Sequence, residues 1–189
     1  GVVRPCIVHR LDLGTTGCLG GAKNDTAHLG LAEQFKDREV NKRYHAIVCG
    51  RVANDEGEID APIGRHPVHR KLMAVQPSAS RDACTSWRVI ERLAESTLIE
   101  ATLHTGRTHQ IRVHFKHIGF PLAGDALYGT KATTQLASDT GVRPERQMLH
   151  AQSLAFSHPR SGERLTFEAA WPDDCEQMLD ALRNAKTNS

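Results

Sequence analysis

The chain has 189 residues, 39% hydrophobic and 24% charged, with 24 Lys+Arg against 22 Asp+Glu for a formal net charge of +2. That length and balance fit one globular domain with a sizeable core, and exclude a fibre, a disordered tail or a small disulfide scaffold. Apolar runs of a few residues fall far short of the ~20 that cross a bilayer, and no signal-peptide pattern opens at Gly1, so a soluble cytoplasmic protein without a membrane partner is expected.

Taken in chain order, VHRLDLGTTG at 8–17 is an apolar, strand-like lead running into a loop dense in Gly and Thr. Asn24 or Asp25 then caps a helix to about Arg38, with Ala27, Leu31 and Phe35 recurring at i, i+4 and i+8. Period-2 alternation predicts a strand at 40–49, placing Val40, Lys42, Tyr44, Ala46 and Val48 on one face, and further strands at 69–76, 83–91 and 97–104. A second helix is predicted from Thr108 to Ile118, with Ile111, Phe115 and Ile118 inward and Gly119 as its stop. The polar stretch 130–146 lacks periodicity and reads as a surface loop after the glycine-rich turn GDALYG. Strands at 148–157 and 163–170 flank SHPRSGE as a hairpin, and Pro172-Asp173-Asp174 opens a third helix with Cys175, Met178, Leu179 and Leu182 as its buried stripe. Strands and helices that do not alternate strictly favour an α+β class, a mixed, largely antiparallel β-sheet with a few flanking helices.

Charge distribution says more than its sum. Residues 101–118 hold Arg107, Arg112, Lys116 and four histidines without a carboxylate, and 64–71 add three more cations, while the acids gather at 54–60 and 173–176. Arg112 and Lys116, at i and i+4, read as a row of cations on a polar helix face with no acid to compensate them, which points to an anionic partner. The five cysteines form no CxxC pair, and the histidines of 101–118 lack both HExxH spacing and a neighbouring Cys or carboxylate, so no metal site is expected. GxGxxG and the P-loop are absent, leaving no signal for a nucleotide cofactor. Asp12, between Arg10 and Gly14, is either a carboxylate aimed into a cleft or an ordinary turn cap.

In this order and spacing, HRLD…TTG, NKRYHAIVCG and TGRTHQIRVH…GFPLAGDALYG resemble the RluA-type RNA pseudouridine synthases. The resemblance runs through the closing LHAQSLAFSHPRSGERLTFEAAWP. It implies isomerisation of uridine in structured RNA, ribosomal RNA ranked before transfer RNA, with no cofactor and no metal; a monomer is expected separately, because the sequence shows no exposed apolar surface. By position in the motifs, Asp12 matches the catalytic aspartate and Arg112 the basic residue that pairs with it. Tyr44 matches the active-site tyrosine, whose ring packs on uracil and whose hydroxyl assists proton removal from C5. Arg10 matches the arginine that fills the stack vacated by a flipped base, and Arg107 and Lys116 are assigned to phosphates. The block GRHPVHRKLMAV at 64–75 resembles the branch that modifies large-subunit ribosomal RNA. Leu13-Gly14 stands where many relatives have a charged pair, which bears on loop shape. Relatives also carry an opening strand and a Lys-Pro-x-Gly block before HRLD, so residues 1–189 are expected to be a single catalytic domain lacking its N-terminal portion and any RNA-binding appendage. The alternative is a catalytically idle RNA-binding or chaperone module, which would have no chemical need for Asp12, Tyr44 and Arg112 together.

Overall fold

A computed structural model describes residues 6–185; readings that rest on Gly1 and its first neighbours lie outside the described residues. Its strands are β1 (Cys6–Ile7), β2 (Thr16–Gly17), β3 (Gly21–Ala22), β4 (Asn41–Cys49), β5 (Glu56–Asp60), β6 (Ile63–Arg65), β7 (Met73–Val75), β8 (Ser80–Arg81), β9 (Cys84–Leu93), β10 (Ser96–Leu103), β11 (Leu149–Ser157) and β12 (Arg164–Glu168). The helices are α1 (Asp25–Lys36), α2 (Gln110–His117), α3 (Thr130–Thr140) and α4 (Asp173–Asn184).

The main sheet runs β12-β11-β4-β10-β9-β5, antiparallel throughout, with β2 joining β11 in parallel. This is the mixed, largely antiparallel α+β arrangement expected from the alternation. β4 shows how the layers form, because its neighbouring residues bury opposite faces. Tyr44, Ala46 and Val48 join Trp87, Ile99, Ala101, Ile111 and Phe115 under α2. Ile47 and Cys49 join Leu98, Leu136, Cys175, Met178 and Leu182 under α3 and α4. A smaller sheet, β7-β6-β8, packs Ile63 against Val113 of α2 and Tyr128.

Helix α1 begins where the cap was placed: Asn24 Oδ1 accepts the Ala27 N–H at 2.9 Å. The stripe of α4 is as read, with Cys175, Met178 and Leu182 buried and Leu179 packed at its margin. The stretch 130–146 departs from expectation, since Thr130–Thr140 is helix α3 rather than loop. Its inward face is only Thr133 and Leu136, with Ala132 alongside, too thin an apolar stripe to stand out against the seven other polar residues of the helix. The predicted strand 69–76 shrinks to Met73–Val75, because His66 to Leu72 turn back on themselves through the His66 N–H to Leu72 O and Leu72 N–H to His69 O bonds.

Candidate active site

The loop bearing Asp12 is clamped to the start of β11. Gln147 Nε2 donates to Leu13 O at 2.6 Å, and Arg146 Nη1 to Gly14 O at 2.9 Å. Gly14, at φ 82, permits the turn closed by Thr15 N–H on Asp12 O. Gly17 is required where the loop joins β11: its φ is 109, and a Cβ there would collide with the Ala151 backbone. On the other side His9 stacks on Phe35 of α1 and accepts the Gly20 N–H at 2.8 Å. The carboxylate of Asp12 is thereby held at the mouth of α2, with Arg112 Nη1 3.4 Å from its Oδ2.

Arg112 is not on a solvated face. It is 4% exposed, and its guanidinium grips the fully buried Asp125 through Nε to Oδ2 at 2.7 Å and Nη2 to Oδ1 at 2.9 Å. Asp125 Oδ1 in turn accepts the N–H groups of Leu127 and Tyr128. The acid missing from 101–118 therefore comes from GDALYG, and with it falls the reading of a row of cations on a polar face. Burial works against the charged guanidinium, yet Asp125 and Asp12 outweigh it and raise the Arg112 pKa. Two of its arms are committed to Asp125, leaving Nη1 for Asp12, as in a fork whose handle is fixed. The Tyr128 ring lies beneath, 5.1 Å from the guanidinium carbon.

Asp12, Tyr44 and Arg112 all line one cavity of about 520 Å³, together with Arg10 and Arg107. The volume lies in the range of small-molecule pockets, enough for one nucleotide. Tyr44 is buried, and burial with the nearby Asp12 carboxylate pushes its pKa well above the ordinary phenol value. Lys116 is apart from the others: it is exposed on α2, its Nζ over the outer side of the Tyr128 ring at 5.7 Å, and does not line the cavity. Sequence reasoning missed further cations that line the cavity, namely Lys36, Arg38, Lys42 and Arg81. Burial and then the charges of Arg107 and Arg38 lower the Lys42 pKa. Lys42 could have been found in NKRYHAIVCG from its parity with Tyr44.

The four histidines of 101–118 divide. His114 is buried and bonded through both ring nitrogens to Thr85 Oγ1 and Ala61 O, both at 2.9 Å, a core role. His109 and His104 line the cavity. The fold also brings Glu58 of β5, Cys84 of β9 and His104 together, their ligand atoms within 4.8 Å of one another, a grouping that the spacing within 101–118 does not show. Ser86 Oγ bonds Glu58 Oε2 at 3.2 Å and His104 Nε2 at 2.7 Å. No spacing rule within one segment could have shown β5, β9 and the residue after β10 converging.

The sequence model of the family described as RNA pseudouridylate synthase matches residues 1–117. The chain is 48% identical over its whole length to ribosomal large subunit pseudouridine synthase D of Nitrosomonas europaea, covering 54% of that protein. It is 47% identical over 97% of its length to the uncharacterized RNA pseudouridine synthase YlyB of Bacillus subtilis, covering 57% of it. The chain thus spans little more than half the length of these relatives. Among solved structures, human RNA pseudouridylate synthase domain containing 1 superposes with a TM-score of 0.78 at 28% identity, over 98% of this chain and 83% of that one.

Proposed function

Since this chain belongs to the RNA pseudouridylate synthase family, we propose that it converts uridine to pseudouridine in structured RNA, and that Asp12, Tyr44 and Arg112 carry the reaction. The observation that supports this most is the Asp12–Arg112 pair at 3.4 Å inside a cavity of nucleotide size. In the reaction the N1–C1′ bond breaks, the uracil turns, C5 bonds to C1′, the C5 proton leaves and N1 gains one. Asp12 supplies negative charge at the glycosidic centre, as nucleophile or as stabiliser of the positive charge left on ribose. Arg112, fixed by Asp125, holds that carboxylate in place. A base in a helix cannot enter such a cavity, so the uridine is flipped out, at a cost of a few kcal/mol. Arg10, exposed at the rim, fills the gap, and Arg107 with Lys42 meets phosphate. Lys116, away from the cavity, is left to more distant phosphates.

Large-subunit ribosomal RNA is the first substrate proposed and transfer RNA the second, supported by the name of the Nitrosomonas relative and the 64–75 block. RNA carrying tritium at uridine C5 tests the whole reading, because forming the C5–C1′ bond must release that label. Steady release with ribosomal RNA is expected. Tight binding of the same RNA with no release would instead identify an RNA-binding module.

Tyr44 keeps its proton across the neutral range, since its pKa is raised rather than lowered. A phenol in that state moves the C5 proton only by passing its own to an acceptor, and Asp12 is the carboxylate near enough to raise its pKa. Tyr44→Phe should slow single turnover by about 10², the lower range of general acid–base contributions. The wild-type rate should also show no rise between pH 7 and 9 that Tyr44→Phe abolishes; such a rise would mean a phenolate base and refute the assignment.

None of these roles asks for a metal. Turnover is expected to survive exhaustive EDTA treatment, with RNA folding kept constant by monovalent salt. Loss of rate that returns with zinc, and that Cys84→Ser abolishes, would put an ion at Glu58, Cys84 and His104 into the reaction.

A further inference from the structure

His109 occupies the N-cap position of α2 with φ 57 and ψ 24, in the left-handed region. Such backbone is uncommon outside glycine and is often retained where the side chain is needed in one place. Capping is not that need, because the imidazole makes no cap hydrogen bond. Its Nδ1 instead lies 2.8 Å from Tyr128 Oη, the rings meeting edge-on.

The direction of that bond follows from what else the phenol does. Tyr128 Oη accepts the Met73 N–H at 2.9 Å, and among the described residues the hydroxyl has no acceptor other than His109. With one lone pair taken by Met73, the arrangement that uses the phenol proton within the described residues directs it to Nδ1, which assigns the N–H of the neutral ring to Nε2. Burial lowers the His109 pKa and so favours that neutral ring, with Asp12 opposing in part. The ring is half-buried and lines the cavity with Asp12 and Tyr44.

We propose that His109, locked by Tyr128 as its Nε2–H tautomer, is the hydrogen-bond donor that reads a uracil carbonyl of the flipped nucleotide and is thus a specificity determinant of the site. The inference rests on the uridine reading above. A neutral ring with one fixed N–H donates on one side only, which suits an acceptor carbonyl. Tyr128 is the positioning residue, and because its ring also underlies Arg112, donor and ion pair share one support.

Two measurements test this. Nitrogen NMR of the free protein reports the tautomer without any turnover: a protonated Nε2 and a bare Nδ1 are expected for His109, and a mixture of tautomers in Tyr128→Phe. The second compares single-turnover rates of wild type and His109→Asn on RNA bearing uridine, 2-thiouridine or 4-thiouridine at the target. Asn tolerates the left-handed backbone but cannot reach as far. His109→Asn should be about ten-fold slower on uridine, the scale for a closed-site hydrogen bond losing its donor. One of the two thio substitutions, sulfur being the weaker acceptor, should slow wild type several-fold and His109→Asn hardly at all. Tyr128→Phe, the second variant should His109→Asn not fold, is expected to lose part of the same thio sensitivity. A protonated Nδ1 in wild type, or thio penalties equal in wild type and variants at both positions, overturns the proposal. Wild type that releases no tritium from any RNA refutes the uridine reading itself, an outcome the NMR result keeps separate.

Discussion

Asp12→Asn should abolish isomerisation while leaving the fold and RNA affinity in place. The side chain is partly buried, 15% exposed, and among the described residues its one ion-pair partner is Arg112. The turn around it is closed by the Asp12 backbone carbonyl, on Thr15 N–H, and by Gln147 and Arg146 on Leu13 and Gly14. None of these bonds uses the carboxylate. Asn fills the same volume, so the loop has no reason to move, and Arg112 keeps its two bonds to Asp125. What disappears is the negative charge at the glycosidic centre. A loss of roughly 10⁴-fold or more in single-turnover rate is expected, the scale of deleting a nucleophile or its charge. Affinity for RNA should hold or rise slightly, since one anion leaves a cavity whose other charged lining, Arg10, Lys42 and Arg107 among it, is cationic. Tritium release and filter binding on the same preparation check both halves; turnover near wild type would remove Asp12 from the chemistry.

What the sequence made legible follows from where burial leaves a pattern. β4, β9, β10 and β11 each present long runs whose alternate residues meet a core. β5 was invisible because its one buried residue, Ile59, stands among Glu56, Glu58 and Asp60, so the segment reads as an acid cluster. Two-residue strands such as β1, β2 and β3 carry no period at all; tertiary pairing to β11 defines β2. α3 was lost for a related reason, its threonines masking a stripe that Leu136 anchors alone.

The site divides along the same line. Asp12, Tyr44 and Arg112 were found through motif resemblance, and the structure brings all three to one cavity. Composition alone misjudged Arg112: an acid-free helix looked like an unneutralised cationic face, because a carboxylate thirteen residues away leaves no mark on the helix's own pattern. The opposite error concerns histidine, where four residues of one type in one segment turned out to serve the core at His114 and the cavity at His109 and His104.

Arg112→Met carries the second large effect, and it should strike stability as well as rate. Removing the guanidinium strands Asp125, which is 0% exposed and retains only the Leu127 and Tyr128 N–H groups. Breaking a buried pair by deleting one partner costs about 3–5 kcal/mol. At about 2–4 °C per kcal/mol for a chain of this size, Tm should fall by roughly 6–20 °C. Turnover should drop severely too, because Asp12 loses the cation that holds it in place. Rate loss through unfolding must be told apart from rate loss through chemistry, and Asp125 offers the means. In Arg112→Met/Asp125→Asn no buried charge is left unpaired, so much of the Tm should return while turnover stays as low as in the single variant. Asp125→Asn alone keeps the Arg112–Asp12 pair but frees the fork's handle, and should lie between wild type and Arg112→Met in rate. The two readouts, thermal midpoint and single-turnover rate, then form a double-mutant cycle: in Tm the second substitution offsets much of the first, whereas in rate Asp125→Asn changes nothing once Arg112 is gone. Recovery of rate along with Tm in the double variant would show that Arg112 only braces the fold, and that Asp12 works without it.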